Sequence, residues 1–149
     1  MERQKPMTEE IDKFVRELQK EMLQGYSENL KNEFLNPQNL GKIEDSDSHV
    51  SVTGVCGDTI EMYLVVRDGT ISDITFLTDG CSFTIACASY VTRTARGRTI
   101  EEALQISPEH VDIYFEGLPE AHKHCAKLSV MALRAAIENY QSKSARTGE

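Results

Sequence analysis

The stretch TIEMYLVVRDGTISDITFLT, Thr59 to Thr78, decides the fold. Its two halves, 59–66 and 70–78, are rich in the β-branched and aromatic residues that favour strands. Between them, Asp68-Gly69 is a dipeptide typical of a tight hairpin turn. The alternating segment HVSVTGV, 49–55, predicts one more strand before this hairpin. Because the connections are short, the three strands are expected to form an antiparallel meander.

Helical patterns precede the sheet along the chain. An amphipathic helix is predicted over 8–25, capped by Thr8 and ended by Gly25. The apolar face of this helix consists of Ile11, Phe14, Val15, Leu18 and Met22. A short second helix, capped by Ser27, is expected to stop before Pro37.

Four more helices are predicted after the sheet. Thr99 opens a capping box, and Ser107 followed by Pro108 is a typical start for the next helix. The segments that carry these signals are 82–96, 99–102, 107–110 and 124–140. Strands followed by helices indicate an α+β fold, in which the helices pack on one face of the three-stranded antiparallel sheet and an N-terminal helix is added.

The chain of 149 residues is long enough for one domain with its own core. We assign residues 36–141 to this main domain, 1–35 to an N-terminal helical extension and 142–149 to a disordered tail.

Composition excludes several classes of function. The net charge is −8 and the pI is near 5.0, so a nucleic acid partner is not expected. No apolar run approaches the ~18 residues of a membrane span. The N-terminus lacks an apolar signal core and is too acidic for a mitochondrial transit peptide, so we expect a cytoplasmic protein without a membrane partner.

Four cysteines carry the chemistry: Cys56, Cys81, Cys87 and Cys125. In a reducing compartment such thiols are inert core residues, metal ligands or reactive groups rather than disulfides. In GVCGD, 54–58, a thiol lies two residues from the carboxylate of Asp58. In a three-stranded meander the first and third strands end at the same edge, so Cys56, Asp58 and Cys81 are expected to be neighbours.

The position of Cys125 is less determined. Together with His124 it begins the last predicted helix, and periodicity does not say where that helix starts relative to the sheet. If it starts at the same edge, the five residues form a ligand set for zinc or for iron–sulfur chemistry. Cys81 and Cys125 both fall at helix N-termini, which favour the thiolate.

The remaining cysteine and histidines have simpler interpretations. Cys87 lies among apolar neighbours and is expected to be a core residue. His49, His110 and His122 are expected on the surface rather than in a ligand set. The CGD and HC motifs are weak signals by themselves, and the spacing matches no C-x-x-C zinc module.

Five segments together resemble the IscU/NifU N-terminal type of iron–sulfur cluster assembly scaffold. They occur in the order NPQNLGKIED, CGDTIEMYLVV, ISDITFLTDGCSFTIACAS, GRTIEEAL and HC, and they span residues 36–140. This resemblance implies a non-enzymatic scaffold for de novo assembly of [2Fe–2S] clusters. It assigns Cys56, Cys81 and Cys125 as thiolate ligands and Asp58 and His124 as alternative non-thiol ligands, with zinc in the cluster-free form. Cys125, or else Cys56, is the expected persulfide acceptor.

The resemblance also implies partners. They are a cysteine desulfurase that supplies sulfur, a source of iron, a ferredoxin-type electron donor and apo iron–sulfur acceptor proteins, with the scaffold as monomer or dimer. Members that use a dedicated Hsp70-type chaperone carry LPPVK, whereas this chain has LPEAHK at 118–123, so such a chaperone is not expected.

Three alternatives compete with the scaffold. The first is a SufU-like zinc-dependent sulfur acceptor, which the spacing from Cys81 to Cys125 and the presence of His124 disfavour. The second is a structural zinc module, which the flexible glycines around the thiols disfavour because structural sites are closed and rigid. The third is a Cys-His hydrolase, which is disfavoured because adjacent helical residues point apart.

Overall fold

The structure is a computed structural model that describes residues 7–22 and 25–147. Its elements in chain order are α1 (Met7–Met22), α2 (Glu28–Leu35), β1 (Ser48–Thr53), β2 (Thr59–Arg67), β3 (Thr70–Thr78), α3 (Ser82–Ala95), α4 (Ile100–Ala103), α5 (Pro108–Tyr114), a 3₁₀ turn (Glu120–His122) and α6 (Lys123–Thr147). In the described parts of the chain, no helix combines the length and apolar character that crossing a bilayer requires.

The three strands form the predicted antiparallel meander. They lie in the order β1-β2-β3, with Thr53 opposite Thr59 and Ile60 opposite Thr78. The β2–β3 hairpin turns at Asp68 and Gly69, whose φ angles of 54° and 73° are the left-handed values that a two-residue hairpin loop needs. This part of the fold is confirmed, and it brings the ends of β1 and β3 to one edge.

The core lies between one sheet face and two long helices. Alternate residues of β2, including Ile60, Met62 and Leu64, are fully buried together with Phe76 of β3. Helix α6 packs on β1 and β2, while α3 packs on β3 and on α6. The α+β architecture with helices on one sheet face is therefore confirmed, and the apolar alternation of the strands is its cause.

Local capping signals also match the structure. The Ser27 hydroxyl accepts a hydrogen bond from the Leu30 N–H, which begins α2 as predicted. Thr99 and Glu102 form the capping box of α4, and Ser107 forms a similar box with His110 in α5. These helices begin at the predicted residues, because each cap involves only residues within one helical turn.

The ends of the chain differ from expectation. Helix α6 continues to Thr147, so residues 142–147 are helical where a disordered tail was predicted. No glycine or proline interrupts the segment before Gly148, which explains the extension. Helix α1 is described to Met22, and its predicted end at Gly25 involves residues 23–24, which lie outside the described residues.

Candidate metal centre

The loop after β1 and the segment after β3 are joined by hydrogen bonds. The Gly54 N–H donates to the Asp58 carbonyl at 2.8 Å and so closes the loop that carries Cys56. The Thr59 N–H donates to Asp79 Oδ1 at 2.8 Å, which holds that loop next to the segment leading to Cys81. The structure thus places the two cysteine-bearing segments at one edge of the sheet, as the meander topology predicted.

An outer group of donors lies at this edge. Ligand atoms of Cys56, Asp58 and His124 all lie within 4.8 Å of one another, and Cys56 is exposed. Gly57 has a φ of +90°, a left-handed conformation that would strain any other residue between the thiol and the carboxylate. We call Cys56, Asp58 and His124 the outer set.

A second group lies deeper at the same edge. Ligand atoms of Cys81, His122 and Cys125 are also mutually within 4.8 Å. Cys81 is the N-cap residue of α3 and is exposed, while Cys125 lies in the first turn of α6 and is fully buried. We call Cys81, His122 and Cys125 the inner set.

The two sets are in contact, so helix α6 does start at the edge where β1 and β3 end. His124 Nε2 lies 3.5 Å from Cys125 Sγ and links the outer set to the inner one. The sequence left this placement open, because it depends on how α6 packs across the sheet. The structure therefore brings together all five residues singled out from the sequence, and it adds His122 to them.

Thr84 is a site residue that sequence reasoning missed. Its hydroxyl lies 3.1 Å from Asp58 Oδ2, 3.4 Å from Cys125 Sγ and 3.8 Å from Cys81 Sγ, and the residue is fully buried. A Cβ atom at Gly80 would come within 2.8 Å of this side chain, so glycine is needed there for the close approach. The available signal was the i, i+3 spacing from Cys81, which places Thr84 on the same face of α3.

Burial affects the pKa of the Cys125 thiol more strongly than the helix N-terminus does. Desolvation raises the pKa of the Cys125 thiol to about 11, and the hydrogen bond from Thr84 only partly opposes this. The nearby charges of Cys81 and Asp58 raise the pKa further. The expectation that the start of α6 favours a thiolate at Cys125 is therefore wrong for the described state, because the dipole acts on a desolvated group.

The other cysteine and histidines fall into two groups. Cys87 is fully buried, and burial followed by the charges of Cys125 and Cys81 raises its pKa, which confirms it as a core thiol beside the site. His49 and His110 are exposed as predicted. The surface expectation is wrong for His122, which is only partly exposed and whose ring stacks on Phe83 with centroids 3.8 Å apart.

The donor chemistry of the site is mixed. Three sulfurs suit zinc or iron, and the carboxylate and imidazoles are harder donors that also bind these metals. A set with both kinds of donor at a solvent-exposed edge can bind a metal or a cluster without enclosing it. A closed structural zinc site would instead bury four firm ligands.

Comparison with known sequences identifies relatives across most of the chain. Residues 25–147 match the sequence model of the family described as NifU-like N terminal domain. The iron–sulfur cluster assembly scaffold protein IscU 1 of Archaeoglobus fulgidus is 44% identical over 122 residues, which cover 81% of this chain and 80% of that protein. The scaffold protein IscU of Haemophilus influenzae is 36% identical over 123 residues, which cover 79% of this chain and 97% of that protein.

Solved structures share the fold. A putative iron–sulfur cluster assembly scaffold protein for the SUF system from Fervidobacterium islandicum has a TM-score of 0.64 at 19% identity, covering 75% of this chain and 96% of its own. A NifU-like N-terminal protein from Brucella abortus has a TM-score of 0.62 at 20% identity, covering 78% of this chain and 94% of its own. These likenesses support the three-stranded sheet with its packed helices.

Proposed function

Since the chain belongs to the NifU-like N-terminal domain family, we propose that it is a scaffold on which a [2Fe–2S] cluster is assembled de novo and then transferred to acceptor proteins. One observation carries the proposal. Three thiols, a carboxylate and two imidazoles converge at one edge of the sheet in two touching sets of three donors. The cluster is the cargo of the protein rather than its resident cofactor.

The proposed ligands are the residues that the sequence singled out. Cys56, Cys81 and Cys125 supply thiolates, and Asp58 or His124 supplies the fourth ligand. Four thiolates would hold a cluster firmly, whereas an oxygen or nitrogen donor at one corner leaves that corner exchangeable. In the cluster-free form the same residues suit zinc or iron, because the donor types match either ion.

Sulfur arrives in a step that conserves atoms. A scaffold thiolate attacks the outer sulfur of the persulfide on a cysteine desulfurase, a new S–S bond forms, and the desulfurase thiolate leaves. Each transferred sulfur then needs two electrons to become sulfide. For a [2Fe–2S] cluster, two of the four electrons come from oxidation of two Fe²⁺ ions and two come from a ferredoxin-type donor.

Cys125 is the proposed persulfide acceptor, and its burial adds a condition. Its thiol is fully buried with a pKa of about 11, so it must become exposed and lose its proton before it can attack. Docking of the desulfurase would have to open the edge between α3 and α6. Cys56 is exposed without any rearrangement and is the alternative acceptor.

The proposed partners follow from these steps. They are a cysteine desulfurase, a ferredoxin-type electron donor and apo iron–sulfur proteins, and the chain performs no turnover without them. It is therefore proposed to act as a scaffold and not as an enzyme. We place this function in the cytoplasm, whose reducing conditions keep the thiols free.

The test is anaerobic reconstitution with desulfurase, cysteine, iron and reductant, followed by iron, zinc and labile-sulfide analysis and visible absorption. We expect equal iron and labile sulfide, a [2Fe–2S] spectrum and transfer of the cluster to an apo-ferredoxin. Cys56→Ser, Cys81→Ser and Cys125→Ser should each abolish stable cluster, whereas Cys87→Ser removes a buried thiol outside the sets and should retain it. Retained zinc with no labile sulfide would instead support a SufU-like zinc-dependent sulfur carrier.

Mass spectrometry locates the acceptor. After treatment with desulfurase and cysteine, the wild type should gain one sulfur on the peptide that contains Cys125. The added mass should be absent from Cys125→Ser and present in Cys56→Ser. The opposite pattern would assign the acceptor to Cys56.

A further inference from the structure

His122 has a position that the proposed cluster ligands do not explain. It ends the 3₁₀ turn directly before α6, and one of its ring nitrogens lies within 4.8 Å of both Cys81 Sγ and Cys125 Sγ. The histidine that the sequence assigned to the site, His124, belongs instead to the outer set with Cys56. The two imidazoles therefore serve different groups of donors, and their ring centroids are 6.3 Å apart.

The orientation of the His122 ring is held by aromatic packing. The ring stacks on Phe83 with an interplanar angle of 11° and a centroid distance of 3.8 Å. Phe83 in turn meets Phe34 edge-on at 4.9 Å and Tyr26 at 5.7 Å. A ligand whose side chain is already fixed loses little conformational freedom when it binds.

The environment of a ring nitrogen of His122 indicates that this imidazole binds a cation. Its Nδ1 atom is buried and has no hydrogen-bond partner among the described residues. A buried polar atom without a partner is costly, and such atoms are rare in folded proteins. A cation that this imidazole bound through Nδ1, together with the two adjacent sulfurs, would satisfy it.

We propose that Cys81, His122 and Cys125 form an inner metal site that binds one divalent ion of borderline softness, such as Zn²⁺ or Fe²⁺, with His122 as a ligand. Two thiolates neutralise the charge of the ion, and the imidazole supplies a third donor of the type that zinc prefers. A tetrahedral ion with bonds of about 2.3 Å to sulfur and about 2.0 to 2.1 Å to nitrogen requires donor atoms roughly 3.5 to 3.8 Å apart, and the three donors here all lie within 4.8 Å of one another.

The inner site gives the outer set a distinct role. An ion held by the inner set leaves Cys56, Asp58 and His124 available for a second iron at the exposed face. The inference rests on the proposed function only for the order in which the inner set and then the outer set bind their metal ions. The metal site itself is a property of the cluster-free chain and is tested without desulfurase or sulfide.

The experiment titrates the reduced chain with Co²⁺, whose thiolate charge-transfer band reports sulfur ligands, and measures Zn²⁺ affinity by competition with a chelator. The decisive variant is His122→Phe, which keeps an aromatic ring to stack on Phe83 and removes both nitrogens. We expect its zinc affinity to fall by more than tenfold, because removal of a residue that merely orients a ligand already lowers metal affinity by about 10- to 100-fold. The matched control is His49→Phe, an exposed histidine that also stacks on an aromatic ring and lies in β1.

A second set of measurements keeps the inference testable if His122→Phe folds poorly. In His122→Ala, added free imidazole should restore zinc binding by occupying the vacated space beside the two sulfurs. Cys56→Ser should lose the cluster but still bind one Co²⁺ with a charge-transfer band of two thiolates. A loss of less than tenfold in His122→Phe, no rescue by imidazole, or loss of Co²⁺ binding in Cys56→Ser as complete as in Cys81→Ser would each overturn the inner site.

Failure of the proposed function has a different signature. A wild-type chain that binds Co²⁺ through His122 but never accumulates labile sulfide would refute the scaffold and leave the inner site intact. A chain that assembles and transfers clusters normally, while His122→Phe binds zinc as tightly as wild type, would refute only the inner site.

Discussion

The hydroxyl of Thr84 donates a hydrogen bond to Asp58 Oδ2 at 3.1 Å. The same hydroxyl is 3.4 Å from Cys125 Sγ, and its single proton can serve only one of these acceptors at a time. Because Thr84 is fully buried on α3, it holds the carboxylate of the outer set against the sulfur of the inner set. A residue that binds no metal therefore aligns groups from both sets.

Thr84→Val should lower zinc affinity by about 10- to 100-fold, the usual effect of removing a partner that orients a ligand. Valine keeps the shape of the side chain and removes only the hydroxyl, so both Cys125 of the inner set and Asp58 of the outer set lose the group that orients them. Chelator competition measures the change. Thr92→Val is the matched control, since Thr92 is also buried on α3 but bonds to helix carbonyls away from the site. Equal affinities in the two variants would show that the hydroxyl does not position the metal ligands.

Asp58→Ala should give a longer-lived cluster that transfers more slowly. The oxygen donor of Asp58 is the exchangeable corner, and without it the cluster loses its route for opening towards an acceptor. Stopped-flow transfer to apo-ferredoxin measures the rate. Asp73→Ala serves as control, because Asp73 lies in the half of β3 next to the hairpin, pairs with Arg96 and belongs to neither donor set. Wild-type transfer kinetics in Asp58→Ala would contradict the exchangeable corner.

Thiol labelling should divide the four cysteines into two pairs. Cys56 and Cys81 are exposed and should react with iodoacetamide near neutral pH, whereas Cys87 and Cys125 are buried and should not. For Cys125, whose pKa is about 11, the raised value favours the protonated thiol, so its thiolate fraction should grow about tenfold per pH unit up to that value. Peptide mass spectrometry from neutral to alkaline pH measures the rates.

The unfolded chain provides the reference for this labelling. In urea all four thiols should react at similar rates, because the protection comes from tertiary burial. Labelling of Cys125 in the folded chain as fast as Cys56 would mean that the edge between α3 and α6 is already open in the absence of a desulfurase.

Arg93→Ala should lower the free energy of unfolding by about 2 to 3 kcal/mol. Arg93 pairs with Glu33, which is 5% exposed and also accepts from Ser89 at 2.6 Å, so the variant leaves a buried carboxylate without its cation. The value lies below the about 3 to 5 kcal/mol of a fully buried pair because the Arg93 side chain is 34% exposed. Urea denaturation measures the loss.

Arg96→Ala is the matched control for this pair. It removes the same side chain from the same end of α3, but Arg96 pairs with Asp73 where both side chains are more than 40% exposed. Its cost should be at most about 1 kcal/mol. Equal losses in the two arginine variants would show that the buried carboxylate of Glu33 does not need its cation.

Local signals predicted the elements of this fold. The hairpin of β2 and β3 follows from Asp68-Gly69, because few residue pairs adopt two successive positive φ angles. The start of α4 follows from Thr99 and Glu102, whose caps act within one turn. The end of α6 was misjudged because a polar, breaker-free segment continues a helix as readily as it frays, and only packing of the preceding turns decides between them.

Half of the candidate site was also accessible from topology. Cys56, Asp58 and Cys81 had to share an edge once the strands formed a meander, since the loops after β1 and β3 leave the sheet on the same side. His124 and Cys125 were candidates only on the condition that α6 starts at this edge, and the family resemblance then assigned them as ligands, because no periodicity says where α6 crosses the sheet. Thr84 and His122 were missed, since a buried threonine and a lone histidine resemble ordinary residues of a helix and a turn.

The sequence by itself determined the strands, the caps and the identity of the thiols, because these depend on residues close together in the chain. Only the tertiary structure decided how the donors divide into two sets and that the Cys125 thiol is buried with a raised pKa. Both outcomes depend on α6 packing beside α3: this contact buries Cys125, raises its pKa to about 11 and places His122 next to two sulfurs. Desolvation and the convergence of distant side chains are properties of the packed assembly, and no short stretch of sequence specifies them.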